Sequence, residues 1–265
     1  MSAPPVLYER RGHVAHVTIA REAVMNAVDA ETERCLQETW LRIESDREVR
    51  LVILTGAGER AFCAGADMKS GGPGTREPTG LEYWAAERPG GFGGIALRQT
   101  LDVPVLARVN GIALGGGFEM VLGCDLVVAC EEASFGLPEP RVGRLPLDGG
   151  MALLQRQIPF RAAMGILMTG RRVPAREAFE LGLVNEVVPR AGLDAAVDRW
   201  AQMVLACAPL SLRAIKQSVR RTAHLSAVEA QAMRLPAVMA AVNSADSQEG
   251  VIAFREKRAP VWAGR

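Results

Sequence analysis

Residues 13–20, HVAHVTIA, alternate in polarity and are rich in Val, Thr and Ile, which predicts a strand. Residues 6–10 read as its hairpin partner, with the turn at Gly12. From 29 to 46 the period lengthens. Leu36, Trp40 and Ile43 fall at i, i+4 and i+7 with acids early in the segment, so this stretch predicts an amphipathic helix. Residues 49–56, VRLVILTG, form an apolar run closed by Gly, the pattern of a strand covered on both faces. Residues 103–111 and 125–129 repeat that pattern, and between them ALGGGFEMVLGC reads as a glycine loop opening a short helix. Strand, helix, strand in this order predicts βαβ units and a mainly parallel sheet.

From about residue 149 the apolar period becomes helical and stays so, which predicts a nearly all-helical second half. Pro174 with Glu177 marks one helix start, Ser226 with Glu229 a capping box, and Pro236 a kink or break. Residues 70–94 fit neither period. Eight Gly and three Pro fall in these 25 positions around the segment LEYWAAE, so the stretch reads either as a lid over a site or as a plain flexible insertion.

Charge and cysteines narrow the function classes. The chain has 265 residues, 31 Lys plus Arg against 30 Asp plus Glu, and a formal net charge of +1. That balance argues against a nucleic-acid binder of the uniformly basic kind. No run of about 18 uncharged apolar residues predicts a membrane span, and the N-terminal residues lack the pattern of a signal peptide. The five scattered Cys form no C-x-x-C pair and the three His no ligand pair, so no metal site is expected. Reduced thiols and a cytoplasmic location are the expectation.

Three features carry chemistry. The loop NGIALGGGFE, 110–119, sets free backbone N–H groups at a helix start, which suits phosphate, an oxyanion, or simply close helix packing. It lacks the spacing of the nucleotide-binding glycine motifs. The turn AFCAGAD, 61–67, holds Cys63, which reads as a packed thiol rather than a nucleophile because no His motif supplies a base. Glu119 follows the glycine loop, and Glu139 follows a strand in ASFGLPEPRVG. If the two carboxylates converge they can share a water as acid and base, but spacing alone does not bring them together.

These segments, in order, together with LMTGRRVPAREAFELGLVNEVV and the ending EGVIAFREKRAPVWAGR, resemble the crotonase (enoyl-CoA hydratase/isomerase) superfamily across nearly the whole chain. The resemblance is nearest to its carnitinyl-CoA dehydratase-like branch. It implies an α/β crotonase fold, with repeated ββα units forming a spiral core over about 1–200, including the 70–94 insertion. A helical C-terminal trimerisation region over 201–265 would complete it. It implies an oxyanion hole from the N–H groups of Ala66 and Gly116, and Glu119 and Glu139 as the pair that handles water. Coenzyme A, part of the substrate rather than a cofactor, would lie over Ala23, Val24, Ala64 and Asp67. Phe254 and Lys257 would reach a neighbouring subunit's coenzyme A, in a homotrimer or dimer of trimers.

The implied activity is an enoyl-CoA hydratase or 3-hydroxyacyl-CoA dehydratase acting on an acyl-CoA, with no metal, nucleic-acid or membrane partner. Its alternatives are an enoyl-CoA isomerase, a carnitinyl-CoA dehydratase-like enzyme, and a non-catalytic acyl-CoA-binding trimer. Three departures stand out, one of them the glycine-rich 70–94 insertion. The family's R-P-K-x-x-N-A reads REAVMNA here, so Ala23 replaces a lysine. The turn after Glu139 reads GRLPLDGG, which puts Arg144 and Asp148 near the acyl pocket, either to recognise a polar acyl chain or to pair with each other.

Overall fold

The computed structural model describes residues 4–69 and 79–265. The predicted hairpin is β1 (Val6–Arg11) antiparallel to β2 (Val14–Ile19), closed at Gly12 with φ +57°. The predicted helix is α1 (Ala30–Ser45), capped by the Asp29 side chain, and it buries Leu36, Trp40 and Ile43. Next come β3 (Leu51–Gly56), β4 (Ala61–Cys63) and α2 (Gly80–Ala85). They are followed by β5 (Val105–Val109), β6 (Ile112–Leu114) and α3 (Gly116–Leu122). The next pair is β7 (Leu126–Cys130) and β8 (Ser134–Gly136), after which a 3₁₀ turn, Glu139–Val142, leads to α4 (Gly150–Gln157).

The strands form two sheets. The larger has the order β1-β2-β3-β5-β7-β10, where β10 is Glu186–Val188, and is parallel from β2 onward, as the buried apolar runs predict. The smaller, β4-β6-β8-β9 with β9 at Arg172–Pro174, has strands of only three residues, too short to show a period. Each of β3, β5 and β7 is followed by one short strand, then by a helix, so the ββα unit repeats three times. Register in the small sheet pairs Cys63 with Ala113, and Ala113 with Phe135. Neighbouring strands lie about 4.8 Å apart, so the turns leaving β4, β6 and β8 lie side by side.

The second half departs from the all-helical expectation. After α5 (Phe160–Thr169), β9 (Arg172–Pro174) adds antiparallel to β8. After α6 (Ala175–Glu180), whose N-cap is Pro174, β10 (Glu186–Val188) adds to β7. These strands escape the helical reading because each has three residues beside a longer helical pattern. Beyond α7 (Leu193–Leu205) and α8 (Pro209–Thr222), Pro236 ends one helical run and opens the next, giving α9 (Ala227–Ala232) and α10 (Pro236–Val242). Ser226 and Glu229 form the expected capping box. The last helix is α11 (Ala245–Glu256).

The core lies between the sheets and α1, α3 and α7, with Trp40, Phe62, Phe118 and Phe135 fully enclosed. α8 is tied to it by charge: Lys216 reaches Asp125 at 2.7 Å and the Val103 carbonyl at 2.7 Å. Among the described residues no helix is long and apolar enough to cross a membrane.

Candidate active site

Each small-sheet strand leaves into one piece of the site. The turn after β4 holds Gly65 at φ +96°, where a side chain would stand 2.9 Å from the Leu114 carbonyl. Only glycine takes that conformation cheaply, and it brings the turn against the loop after β6. Val28 accepts from the Asp67 N–H and donates to the Gly65 carbonyl, both at 2.9 Å. In such a parallel bridge the middle residue's own N–H points the other way, so the Ala66 N–H faces the glycine loop.

The loop after β6 has Gly115 at φ +55°, and Gly116 opens α3. A side chain on Gly117 would strike the Cys63 carbonyl, so the glycines let α3 begin in contact with β4. The Gly116 N–H belongs to the first turn of α3 and has no intrahelical acceptor. Neither it nor the Ala66 N–H has a hydrogen-bond acceptor among the described residues. Two such donors across one turn contact can hold an anionic oxygen.

The carboxylates are brought to the same place. Glu119, on the first turn of α3, is buried and its Oε1 accepts from the Gly150 N–H at 2.8 Å. Glu139, on the turn after β8, lies against Gly115: a side chain there would be 2.8 Å from its Oε1. The Oε2 of Glu139 is buried with no hydrogen-bond partner among the described residues. Burial pushes Glu119 up to about 8, opposed by the Gly150 N–H and reinforced by the Asp148 and Glu139 carboxylates. Burial also raises Glu139 above the usual carboxylate range. Both acids therefore hold protons more tightly than in water, the state that suits proton transfer near neutral pH.

The remaining predicted residues fall as follows. Ala23 and Val24 are exposed on a 3₁₀ turn beside the Ala64–Asp67 strip, joined by the bond from the Ala64 N–H to the Met25 carbonyl at 3.1 Å. Asp67 pairs with Arg21 at 2.9 Å, and Arg21 also pairs with Asp29 at 2.8 Å. Arg144 is exposed, whereas Asp148 is buried and accepts from the Tyr83 hydroxyl on α2. Phe254 and Lys257 are exposed on and just after α11. The C-terminal run that follows is tied by the Trp262 carbonyl to Arg50, at the end of β3 away from Gly56. Cys63 is buried and its thiol is pushed up to about 12, so it is a packed thiol.

Within the 70–94 stretch, residues 70–78 lie outside the described residues. The rest folds onto the site. Gly91, Phe92 and Gly93 pack between α1 and α3: Phe92 meets Gly116, Trp40 Nε1 donates to the Gly93 carbonyl at 2.7 Å, and the Gly93 N–H donates to Glu33 at 2.9 Å. The sequence reading missed Tyr83, Glu33 and two buried amides, Asn26 and Asn110, which both bond the Ala61 carbonyl and shape the approach to β4. Asn26 lies in REAVMNA and Asn110 in VNG, where an Asn beside Ala or Gly between strands is the available signal.

The site thus sets backbone N–H groups without acceptors beside a buried Glu119 and a half-buried Glu139, both with raised proton affinity. The family model described as enoyl-CoA hydratase/isomerase matches residues 9–265. Carnitinyl-CoA dehydratases of Salmonella typhi and Escherichia coli are 39% identical to the chain over 260 residues, covering 97% of each protein. The crystal structure of an enoyl-CoA hydratase from Mycobacterium tuberculosis superposes with a TM-score of 0.88 at 34% identity, covering 99% of this chain and all of that one. One from Bacillus anthracis gives 0.88 at 33%, covering 98% and 100%. The chain belongs to the enoyl-CoA hydratase/isomerase family and has the crotonase fold.

Proposed function

We propose that the protein is an acyl-CoA hydro-lyase, an enoyl-CoA hydratase or 3-hydroxyacyl-CoA dehydratase. The observation that carries this reading is the approach of Glu119 and Glu139 to each other beside the Gly115–Gly116 loop, next to the Gly65–Ala66 turn. A double-bond isomerase needs one carboxylate to carry a proton between carbons, whereas addition or loss of water employs two. In dehydration Glu139 takes the α-proton, and the thioester oxygen becomes an enolate oxygen held by the two N–H groups. The C3–O bond then breaks as Glu119 gives its proton to the departing hydroxyl, which leaves as water. Hydration is the reverse. Glu119 takes a proton from water as the oxygen bonds C3, and Glu139 protonates the α-carbon.

The raised affinity of Glu119 supports this assignment, because the proton resting on Glu119 is the one that the leaving hydroxyl needs. One oxyanion donor contributes about 3–4 kcal/mol to such a barrier. No cofactor is called for beyond the coenzyme A of the substrate, seated along Ala23, Val24, Ala64 and Asp67. A carnitinyl-CoA substrate is the specific alternative, supported by the relatives at 39% identity. A homotrimer or dimer of trimers is the proposed assembly, with Phe254 and Lys257 serving a neighbour's site; the exposed Ile215, Val219 and Phe254 support it. A panel of 2-enoyl-, 3-enoyl- and 3-hydroxyacyl-CoA thioesters that includes carnitinyl-CoA, with products identified by mass spectrometry, tests the reading. Gain or loss of 18 mass units is expected, and double-bond migration without it, or no turnover of any member, would overturn it.

A further inference from the structure

α2 comes beside Asp148 and Glu119 through Tyr83, and none of its residues is buried. Leu81 and Trp84 face solvent, so apolar packing does not hold the helix down. Among the described residues the Tyr83 hydroxyl ties it to the 148–150 turn, donating to Oδ2 of Asp148 across 65 positions of sequence. Asp148 stands two residues before Gly150, whose N–H donates to Glu119. The contact therefore runs from α2 through the 148–150 turn to the carboxyl itself. On its other side the Tyr83 ring is held by the Arg88 guanidinium, 4.2 Å from the ring centroid and 3.9 Å from Glu33.

We propose that the Tyr83–Asp148 hydrogen bond is a latch that seats α2 beside Glu119 and positions Glu119 through the Asp148–Gly150 turn. Tyr83 and Asp148 are positioning residues. The inference rests on the proposed role of Glu119 as the group that exchanges a proton with the substrate's oxygen. Closing a site over reacting groups excludes water, and loosening a positioned acid by about 1 Å costs up to about 100-fold in rate. Glu119 is faced by Asp148 from the turn before α4, Glu139 from the 3₁₀ turn, Tyr83 from α2, and the Gly150 N–H from α4. The Asp148 charge thus acts on Glu119 in addition to fixing the turn.

Four variants separate these roles: Tyr83→Phe, Asp148→Ala, Asp148→Asn and the Tyr83→Phe/Asp148→Ala double. Asparagine still accepts from Tyr83 but carries no charge. On the wild type's best acyl-CoA, Tyr83→Phe and Asp148→Ala are each expected to lower kcat by about 10- to 100-fold. The double variant is expected to be no slower than the worse single, because both break one contact. Asp148→Asn is expected to lose less of kcat than Asp148→Ala and to move the basic limb of the rate profile to lower pH. Hydrogen exchange without substrate gives a second readout. The Tyr83 and Ala86 amides, bonded to Thr79 and Glu82 carbonyls, exchange faster in Tyr83→Phe and Asp148→Ala but not in Asp148→Asn. Unchanged exchange in Tyr83→Phe, losses that multiply in the double variant, or losses confined to particular acyl chains would overturn the latch. A wild type that converts no acyl-CoA defeats the proposed function instead, and the exchange pattern still decides the latch.

Discussion

Replacing Glu119 by Gln removes a carboxyl that the fold holds far from its ordinary proton affinity. Burial moves Glu119 from 4.5 to about 8, and the Asp148 and Glu139 carboxylates add to the shift. The unfolded chain releases this proton at the ordinary value, so between the two values the folded state binds it more tightly. The stability contributed by the group is complete below 4.5 and is lost as pH rises towards about 8. At about 1.4 kcal/mol per pKa unit, the loss between pH 5 and pH 8 is about 3–4 kcal/mol. Gln has no proton to lose, matches the volume, and offers a carbonyl to the Gly150 N–H. Glu119→Gln is expected to lie within about 1 kcal/mol of wild type at pH 5 and to exceed it by about 3–4 kcal/mol at pH 8. Urea unfolding at the two pH values, followed by circular dichroism at one protein concentration, measures the difference. A stability gap of the same size at both pH values would refute burial of an ionisable Glu119 as the cause.

Catalysis has its own pH signature. Both directions run from the pair carrying one proton, so kcat/KM for hydration and for dehydration is expected to share a basic limb near 8. The acidic limb follows Glu139 and lies above the usual carboxylate range. A profile flat from pH 6 to pH 9.5 counts against the pair. Gly65→Ala forces a side chain into φ +96° against the Leu114 carbonyl and is expected to cost about 1–3 kcal/mol in a denaturation experiment. The same substitution should slow turnover by at least about tenfold by misaiming the Ala66 N–H, and wild-type stability with wild-type rate argues against that turn. Light scattering on the eluted protein is expected to give a trimer or a dimer of trimers, and a stable monomer contradicts the assembly.

The parts of the fold legible in the sequence are those long enough to show a period. HVAHVTIA became β2, the Leu36–Trp40–Ile43 stripe became the buried face of α1, and the apolar runs became β3, β5 and β7. The small sheet was not legible, because Ala61–Cys63, Ile112–Leu114 and Ser134–Gly136 hold three residues each. β9 and β10 were hidden in the same way beside α6. That short sheet is what sets the Gly65–Ala66 turn, the Gly115–Gly116 loop and Glu139 side by side. Glu119 and Glu139 were therefore recognisable as residues, while their convergence depends on parallel register that spacing does not encode. Tyr83 lay in the glycine-rich 70–94 stretch, and nothing in LEYWAAE points to a carboxylate 65 positions away. Asp148 is visible as an unusual acid, but nothing in the sequence points to the Tyr83 hydroxyl on α2 that donates to it.

The central claim is that Glu119 and Glu139 act together on water beside two backbone donors. Its most direct measurement is the turnover of Glu119→Gln, Glu139→Gln and the double variant on the acyl-CoA that wild type converts fastest, with folding checked by circular dichroism. Each single variant is expected to lose about 10²- to 10⁴-fold in kcat, and the double variant little more than the worse single, because the two carboxyls work as a unit. A folded single variant that keeps more than about a tenth of the wild-type rate would contradict the account.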